Sequence, residues 1–375
     1  MKTKHLLSSI TAAVILACML SCSKDTPRRE IRFEAKTFPG TPWTRADYSG
    51  ETYKESGKVY ERINWEKGDD IKIMLQYGEG TPGDNGRVYK IDTIRFSDNR
   101  YSRATLEPNN GGYPWGKRER HRFWAAYPSS ATLGSTGTGD GLNGTVSWSI
   151  PKEQNQKYKT RGGEDNTLCY VPDQKVLLVG GVDANPSTVS DAGVGIDFYP
   201  AVNTFDFTVG TYGKITITDF QMETRTAESD AEVTGKTLGL TGDFTVTVND
   251  YNPNRTVRPF TASASGTTGQ VITTHFDPSV PLDEETFVNF RVFALPPSGS
   301  NPAPISGVTI KFKLDKGEIW QLELKNESHW IEFSPFVKAN ISGLLIPGAK
   351  WKITFDGPLE EEWVQAPYEQ EIAVE

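Results

Sequence analysis

Apolar and polar residues alternate with a period of two along most of the chain. In residues 70–77, for example, Ile71, Ile73 and Leu75 occupy every second position. Successive side chains of a strand point to opposite faces, so this pattern predicts half-buried β-strands. The same alternation recurs in residues 123–127, 146–150, 194–199, 205–209, 214–222, 244–248, 271–276, 287–295, 308–314, 319–324 and 351–355.

These runs are short and rich in β-branched and aromatic residues, and Gly, Pro, Asn or Asp bound them. No segment of ten residues shows the 3.6-residue period of a helix. Short strands without intervening helices predict an all-β fold of antiparallel sandwiches. The chain of 375 residues is long enough for two domains. Because residues 183–193 are rich in turn-forming residues, we predict an N-terminal sandwich over residues 46–190 and a C-terminal sandwich over 191–375. We expect residues 134–144 and 154–166 to be connections.

The N-terminus has the features of a secretory signal. Lys2 and Lys4 precede an apolar stretch over residues 6–20, which is too short to span a bilayer. The stretch is followed by Ser21 and Cys22, and residues 19–22 look like the lipobox of bacterial lipoproteins. In such proteins the signal is removed before a cysteine that is then acylated. We therefore expect residues 1–21 to be a signal peptide and Cys22 to be the lipid anchor. Cys18 is a poorer alternative, and an ordinary signal peptide is a second one.

The charge balance excludes one class of partner. Without residues 1–21 the chain keeps 38 basic and 48 acidic side chains. Nucleic-acid binding needs a basic face, so none is expected. With Cys18 and Cys22 set aside, only Cys169 remains, which excludes an internal disulfide and favours a small buried side chain.

Motifs for catalysis or metal binding are weak. Residues 139–144 match G-x-G-x-x-G, but a dinucleotide site needs a helix after the motif, and here a predicted strand follows. The histidines lack the spacing of metal ligands, and Asp69 with Asp70 lacks that of a calcium loop and instead favours a strand-entry turn. We predict no catalytic residue, no metal and no cofactor.

Two terminal segments alternate as strands do. Ile31 and Phe33 occupy alternate positions in residues 30–36, and Ile372 and Val374 do so in residues 371–375. Such a strand can complete the open edge of a sheet, in its own chain or in another copy. Between the first segment and the body lies Arg45-Ala46 in a polar linker, where proteases cut. The alternative is that both segments are intramolecular edge strands and Arg45 stays uncut. Arg28-Arg29 is a competing site that would leave the strand in place.

These features together resemble the fimbrillin family of Bacteroidales, the subunits of surface pili. The resemblance covers most of the mature chain. It is based on Cys22, the early strand, Thr44-Arg45, and the segments INWEKGDDIKI at 63–73, FWAAYP at 123–128 and GLLIPGAKWKI at 343–353.

The resemblance implies two transthyretin-like β-sandwich domains in tandem and export as an outer-membrane lipoprotein at the cell surface. It also implies that a trypsin-like protease cuts after an Arg, which here matches the Arg45-Ala46 bond within residues 22–45. The cut would release the strand of Ile31 and Phe33, and a strand from the next subunit would fill the groove. Residues 371–375, with Ile372 and Val374, are the candidate donor. The partners implied are other fimbrial subunits, membrane lipid and the protease.

A second interpretation comes from the nine tryptophans. Exposed indoles can stack on sugar rings, so the chain could instead be a surface glycan-binding lipoprotein. Trp124, Trp148, Trp320 and Trp351 lie in alternating segments, which favours a core position for them, whereas Trp43, Trp115 and Trp363 lie beside loops.

Overall fold

The computed structural model describes seventeen segments of the chain, and all statements below refer to them. They are residues 29–37, 52–55, 58–61, 65–77, 80–97, 101–117, 119–159, 166–189, 193–225, 239–251, 260–298, 303–305, 307–325, 331–333, 338–345, 351–356 and 368–372. The side chains of residues 37, 52–61, 96–97, 101–102, 140, 225, 266–267, 303–305, 307, 322–325, 331–333, 338–340, 351–356 and 368–372 lie outside this description.

Strands make up nearly all of the regular structure. The first thirteen are β1 (Phe33–Thr37), β2 (Thr52–Glu55), β3 (Lys58–Glu61), β4 (Asp70–Tyr77), β5 (Arg87–Ser97), β6 (Tyr101–Pro108), β7 (His121–Tyr127), β8 (Thr132–Thr136), β9 (Asn143–Ile150), β10 (Glu153–Lys159), β11 (Thr167–Pro172), β12 (Leu178–Ala184) and β13 (Val194–Pro200). The others are β14 (Asn203–Thr211), β15 (Ile215–Arg225), β16 (Thr241–Val248), β17 (Phe260–Gly269), β18 (Val271–Leu282), β19 (Phe287–Ala294), β20 (Ala303–Ile305), β21 (Gly307–Leu314), β22 (Ile319–Lys325), β23 (Ile331–Phe333), β24 (Lys338–Leu345), β25 (Trp351–Asp356) and β26 (Tyr368–Ile372). Among the described residues, the one helical turn is the 3₁₀ segment Gly139–Gly141.

The strands form three main sheets. The closed sheet has seven strands in the order β1-β13-β12-β7-β4-β5-β6, with β6 returning to β1. The large sheet has eleven strands in the order β22-β21-β15-β18-β10-β11-β19-β14-β24-β25-β26. A four-stranded sheet, β17-β16-β9-β8, contributes to the core of the closed sheet, and β2-β3 and β20-β23 form separate pairs. The predicted all-β class is therefore confirmed.

The prediction of purely antiparallel sheets was wrong at four places. The pairs β1–β13, β10–β18, β11–β19 and β14–β24 run parallel. In each pair the partners are distant in sequence, so no tight hairpin imposes an antiparallel direction. The alternation of side chains does not distinguish the two directions, because it is the same in both.

The core consists of two clusters of buried apolar side chains. The first cluster lies inside the closed sheet and between it and the four-stranded sheet. The second cluster is formed by side chains of the large sheet. Strand pairing crosses the boundary predicted near residue 190 in both directions. The later strand β13 pairs within the closed sheet, whereas the earlier strands β10 and β11 pair within the large sheet.

Two segments that support the family resemblance contact each other in the core. The Trp65 ring meets the Tyr127 ring edge-on at 5.5 Å. Tyr127 Oη donates to Asp69 Oδ1 at 3.1 Å, and Lys175 Nζ lies 2.9 Å from the same oxygen. Gly68, with φ of 88°, turns the chain into β4. The strand-entry turn predicted for Asp69-Asp70 is thus confirmed, and Asp69 fixes one end of β7.

The G-x-G-x-x-G segment has the structure expected of a loop. It forms the 3₁₀ turn and then leads directly into β9, with no helix after the glycines. Cys169 is buried in β11 with a 3% exposed fraction, as predicted. Within the described ranges, no helix is long and apolar enough to cross a membrane.

Candidate functional site

The first strand occupies a slot between two strands that come from much later parts of the chain. Strand β1 runs parallel to β13, with Phe33 opposite Val194, and antiparallel to β6, with Phe33 opposite Leu106. It therefore completes the closed sheet. We call the space between β6 and β13 the β1 slot.

Side chains of this segment alternate between the core and the outer face. Ile31, Phe33 and Ala35 are almost fully buried, whereas Arg32 is exposed. The Phe33 ring meets Tyr89 at 5.2 Å and Phe123 at 5.1 Å, both edge-on. Burial of a large apolar side chain stabilises by about 1.5–3 kcal/mol. The apolar face therefore gives the strand its affinity for the slot.

Backbone hydrogen bonds extend the contact beyond β1 towards the N-terminus. Ile31 N donates to Tyr113 O at 2.7 Å, and Trp115 N donates to Arg29 O at 3.1 Å. Tyr113 is itself fixed, because its N–H donates to Tyr89 Oη at 3.1 Å. Burial raises the pKa of Tyr113 well above its usual range, so this phenol stays neutral. The segment from Arg29 to β1 is thus held along its whole described length.

A glycine permits the close approach of β13 to the entering strand. Gly193 has φ of 107°, a conformation that L side chains rarely adopt. A Cβ there would lie 2.6 Å from Arg32 O, and Val194 N donates to that oxygen at 2.8 Å. Gly193 therefore serves both the turn and the docking of the strand.

Charged groups line the outer face of the slot. Lys36 of β1 stands opposite Asp197 of β13 and Arg103 of β6 in the strand register. Burial raises the pKa of the Asp197 carboxyl, and the positive charges of Lys36 and Arg103 oppose that shift. Removal of β1 takes Lys36 away from Asp197 and leaves Arg103 as the positive charge beside this carboxyl.

The other predicted site residues lie partly outside the description. Cys22, Arg45, Ala46 and Val374 fall outside the described residues. Ile31 and Phe33 lie together at the β1 slot, as described above. Ile372 is the last residue of β26, where it stands opposite Trp351 of β25.

Strand β26 lies at one edge of the large sheet. It pairs antiparallel with β25 from Tyr368 to Ile372, and no second partner strand is present among the described segments. An edge strand is attached along one side, whereas β1 is attached along two. The C-terminal strand is therefore bound on fewer sides than the strand in the slot.

A further cluster of side chains was not predicted from the sequence. On the large sheet, His275 Nδ1 lies 2.5 Å from Asp219 Oδ1, and its Nε2 lies 2.8 Å from Glu153 Oε2. Hydrogen bonds to the two carboxylates raise the pKa of His275, with the bond to Asp219 contributing most. Both ring nitrogens are engaged by carboxylates, an arrangement that ties three strands together and leaves neither nitrogen for proton transfer to a substrate.

The tryptophan side chains that the structure describes lie in the two cores or against them. Trp65 and Trp124 are buried, and Trp115, Trp148 and Trp320 are half-buried against the two cores. The core prediction is confirmed for Trp124, whereas Trp148 and Trp320 lie at core margins. Trp43, Trp330, Trp363 and the Trp351 side chain lie outside the description.

Comparisons with known proteins give structural likenesses only. No family model matches the sequence, and no curated protein matches it. A candidate cell adhesion protein from Bacteroides uniformis aligns at 14% identity and a TM-score of 0.49, covering 89% of this chain and 98% of that one. A fimbrial assembly protein from Parabacteroides distasonis aligns at 8% identity and a TM-score of 0.38, with 91% and 99% coverage. The fimbrial anchor protein of Porphyromonas gingivalis aligns at 10% identity and 0.31, with 91% and 100% coverage. These similarities are too distant to support a functional conclusion.

Proposed function

We propose that this protein is a structural subunit of a cell-surface fimbria that polymerises by strand exchange and supports adhesion. In this proposal Cys22 is acylated after residues 1–21 are removed, and lipid holds the precursor at the outer membrane. A trypsin-like protease then cuts between Arg45 and Ala46 and frees the segment that contains Ile31 and Phe33. The protein acts through sheet completion, without catalysis, metal or cofactor.

The observation that supports the proposal is the position of β1. A short N-terminal segment fills a slot between two strands, with Ile31, Phe33 and Ala35 buried. Loss of this segment exposes the unpaired N–H and C=O groups of β6 and β13 together with an apolar groove. Unpaired edges of this kind are templates for a strand from another chain.

The donor in this proposal is the C-terminal segment 371–375. Ile372 and Val374 repeat the two-residue spacing of Ile31 and Phe33, so their side chains could occupy equivalent positions in the slot. Strand β26 must then leave β25, which costs the hydrogen bonds along one edge. A variant that lacks residues 371–375 and still polymerises would exclude this donor.

The resemblance to fimbrillins adds a finer description of the fold. We retain two transthyretin-like sandwiches in tandem, over 46–190 and 191–375, as part of the proposal. The closed sheet and the four-stranded sheet then represent the first unit and the large sheet the second. Strands β10 and β11 are exchanged into the second unit, and β13, β16 and β17 into the first.

Controlled proteolysis of a soluble precursor tests the proposal. The sample is residues 22–375 with Cys22→Ser, so that no lipid is present, and the matched control adds Arg45→Gln. Brief trypsin treatment should cut the first protein after Arg45, as intact mass shows. Oligomers should then form with a concentration dependence visible by size-exclusion chromatography with light scattering.

The control should stay monomeric under the same treatment. A cut after Arg28 or Arg29 leaves β1 attached, and it should not produce oligomers. A chain cut after Arg45 that remains monomeric at high concentration would contradict the proposal, as would equal oligomerisation of the Arg45→Gln control.

A further inference from the structure

A cavity of about 690 Å³ opens where several strands of the large sheet end. Three turns surround it, which connect β14 to β15, β18 to β19 and β21 to β22. The cavity lies outside the closed sheet that contains the β1 slot. Its volume falls within the roughly 300–1,000 Å³ typical of small-molecule sites.

The floor of the cavity is apolar and includes an indole. Leu168, Ile215 and Trp320 line it, are half-buried, and pack against the second core. Their inner surfaces are therefore fixed by the core, while their outer parts remain accessible at the cavity. A rigid aromatic side chain in such a position offers a large contact area at low entropic cost.

The rim carries charges of both signs. Lys214 and Lys316 line the cavity together with Asp283, Asp315 and Glu318. The hydroxyl-bearing residues Thr216 and Thr286 also line it, although Thr286 Oγ1 already donates to Asp283 Oδ1 at 2.5 Å. The rim thus offers several donors and acceptors around an apolar floor.

Large apolar side chains around the same turns are exposed. Tyr212, Phe287 and Ile319 have exposed fractions of 57%, 39% and 63%, and they are three of the four large exposed hydrophobic residues in the described part of the chain. Each lies within two residues of a residue that lines the cavity. Exposed apolar surface rimmed by polar groups is typical of a binding site.

The combination of floor and rim limits the chemistry of the ligand. A purely apolar ligand would cover the floor but form no hydrogen bond with the charged rim, and a strongly charged ligand would meet like charge from one part of the rim. A ligand with one apolar face and many hydroxyl groups satisfies both regions. We propose that this cavity binds a short, neutral oligosaccharide, with its C–H face on Trp320 and its hydroxyls hydrogen-bonded to the rim.

Binding of neutral trisaccharides to the uncut precursor tests this inference. Maltotriose, cellotriose and tri-N-acetylchitotriose are titrated separately by calorimetry, and contact with the aromatic side chain is followed by saturation-transfer NMR. We expect at least one trisaccharide to bind. Trp320→Ala should weaken it about tenfold or more, because the aromatic contact is lost.

Two further variants make the outcome decisive. Tyr158→Ala removes an aromatic side chain that is 44% exposed and lies outside the cavity lining, so it should leave binding unchanged. The double variant Asp315→Asn with Lys316→Ala alters exposed rim positions without touching the core, and it should weaken binding even if Trp320→Ala fails to fold. Absence of binding for all three trisaccharides, or equal binding by the rim variant, would overturn the inference. Because the precursor is uncut, neither result depends on strand exchange.

Discussion

At the scale of single residues, Phe33 is the largest buried side chain of the segment that fills the β1 slot. Its ring is 1% exposed and touches two other aromatic rings of the first core. The neighbouring Arg32 is exposed, so its side chain contributes little to docking. The strength with which the precursor retains its first strand should therefore depend on one side chain far more than on its neighbour.

Truncation of Phe33 tests this difference. Phe33→Ala should lower the free energy of unfolding of the uncut precursor by about 3–5 kcal/mol, because it leaves a cavity between rings. Arg32→Ala is the matched control and should change it by less than about 0.5 kcal/mol. Urea unfolding followed by fluorescence measures both. Equal effects of the two substitutions would contradict the prediction that the Phe33 ring holds β1 in the slot.

The His275 cluster should make stability depend on pH. The folded-state pKa of His275 is raised above 6.5, so its contribution is complete below pH 6.5 and is lost as pH rises through the folded pKa. Burial raises the pKa of the Asp219 carboxyl, but the hydrogen bonds from His275 and Thr218 and the charge of Lys313 together lower it below 3.8. The contribution of Asp219 is therefore lost in acid. The cluster should therefore stabilise most between about pH 4 and 6.5.

Melting temperatures of the wild type and His275→Gln measure this effect. The difference should be greatest near pH 5.5 and should shrink above neutral pH. The ring is half-exposed, so about 0.5–1 kcal/mol is expected at the maximum. A difference that grows steadily from pH 5 to pH 9 would contradict the assignment.

At the scale of elements, the strands with apolar alternation were predictable. Residues 70–77 were predicted as a strand and form β4 with the same bounds, and residues 194–199 lie within β13. For the candidate site, the alternation of Ile31 and Phe33 indicated a strand with one buried face. The residues that surround it, Tyr89 and Tyr113, were not predictable, because their contacts depend on pairing between distant parts of the chain.

Strand β10 shows why polar strands were missed. We predicted residues 154–166 to be a polar connection, whereas Glu153–Lys159 is a strand of the large sheet. Its buried positions are Gln154 and Gln156, at 1% and 0% exposure. Gln154 is hydrogen-bonded to both the N–H and the C=O of Phe293, at 3.0 and 2.6 Å. A buried side chain satisfied by backbone groups leaves no hydrophobic pattern in the sequence.

Docking of β1 against β13 should depend on Gly193. Gly193→Ala places an L side chain at a positive φ and puts its Cβ 2.6 Å from Arg32 O. The strand should therefore dock more weakly. Gly317→Ala is a matched control, because Gly317 has φ of 84° but open space around a Cβ. After the Arg45 cut, release of fragment 22–45 should be several-fold faster for Gly193→Ala and unchanged for Gly317→Ala.

Chromatographic separation of the fragment from the body measures this release. Equal release rates for the two variants would show that Gly193 serves only its own turn, independently of β1.

At the scale of the whole molecule, sheet composition could not be predicted from the sequence. The local pattern indicates which segments are strands, but partners are chosen by closure of long loops. Strand β1 meets β13 across more than 150 residues, and β10 meets β18 across more than 100. These long-range pairings place the N-terminal segment in a slot whose two edges, β6 and β13, belong to the body of the protein.

Amide hydrogen exchange of the slot edges tests the central claim most directly. Mass spectrometry follows residues 103–106 of β6 and 194–198 of β13 in the uncut precursor, the freshly cut monomer freed of residues 22–45, and the oligomer. If another copy refills the slot, these amides should be protected in the precursor, exposed in the monomer and protected again in the oligomer. Oligomers whose β6 and β13 amides exchange as fast as those of the cut monomer would contradict strand exchange at this slot.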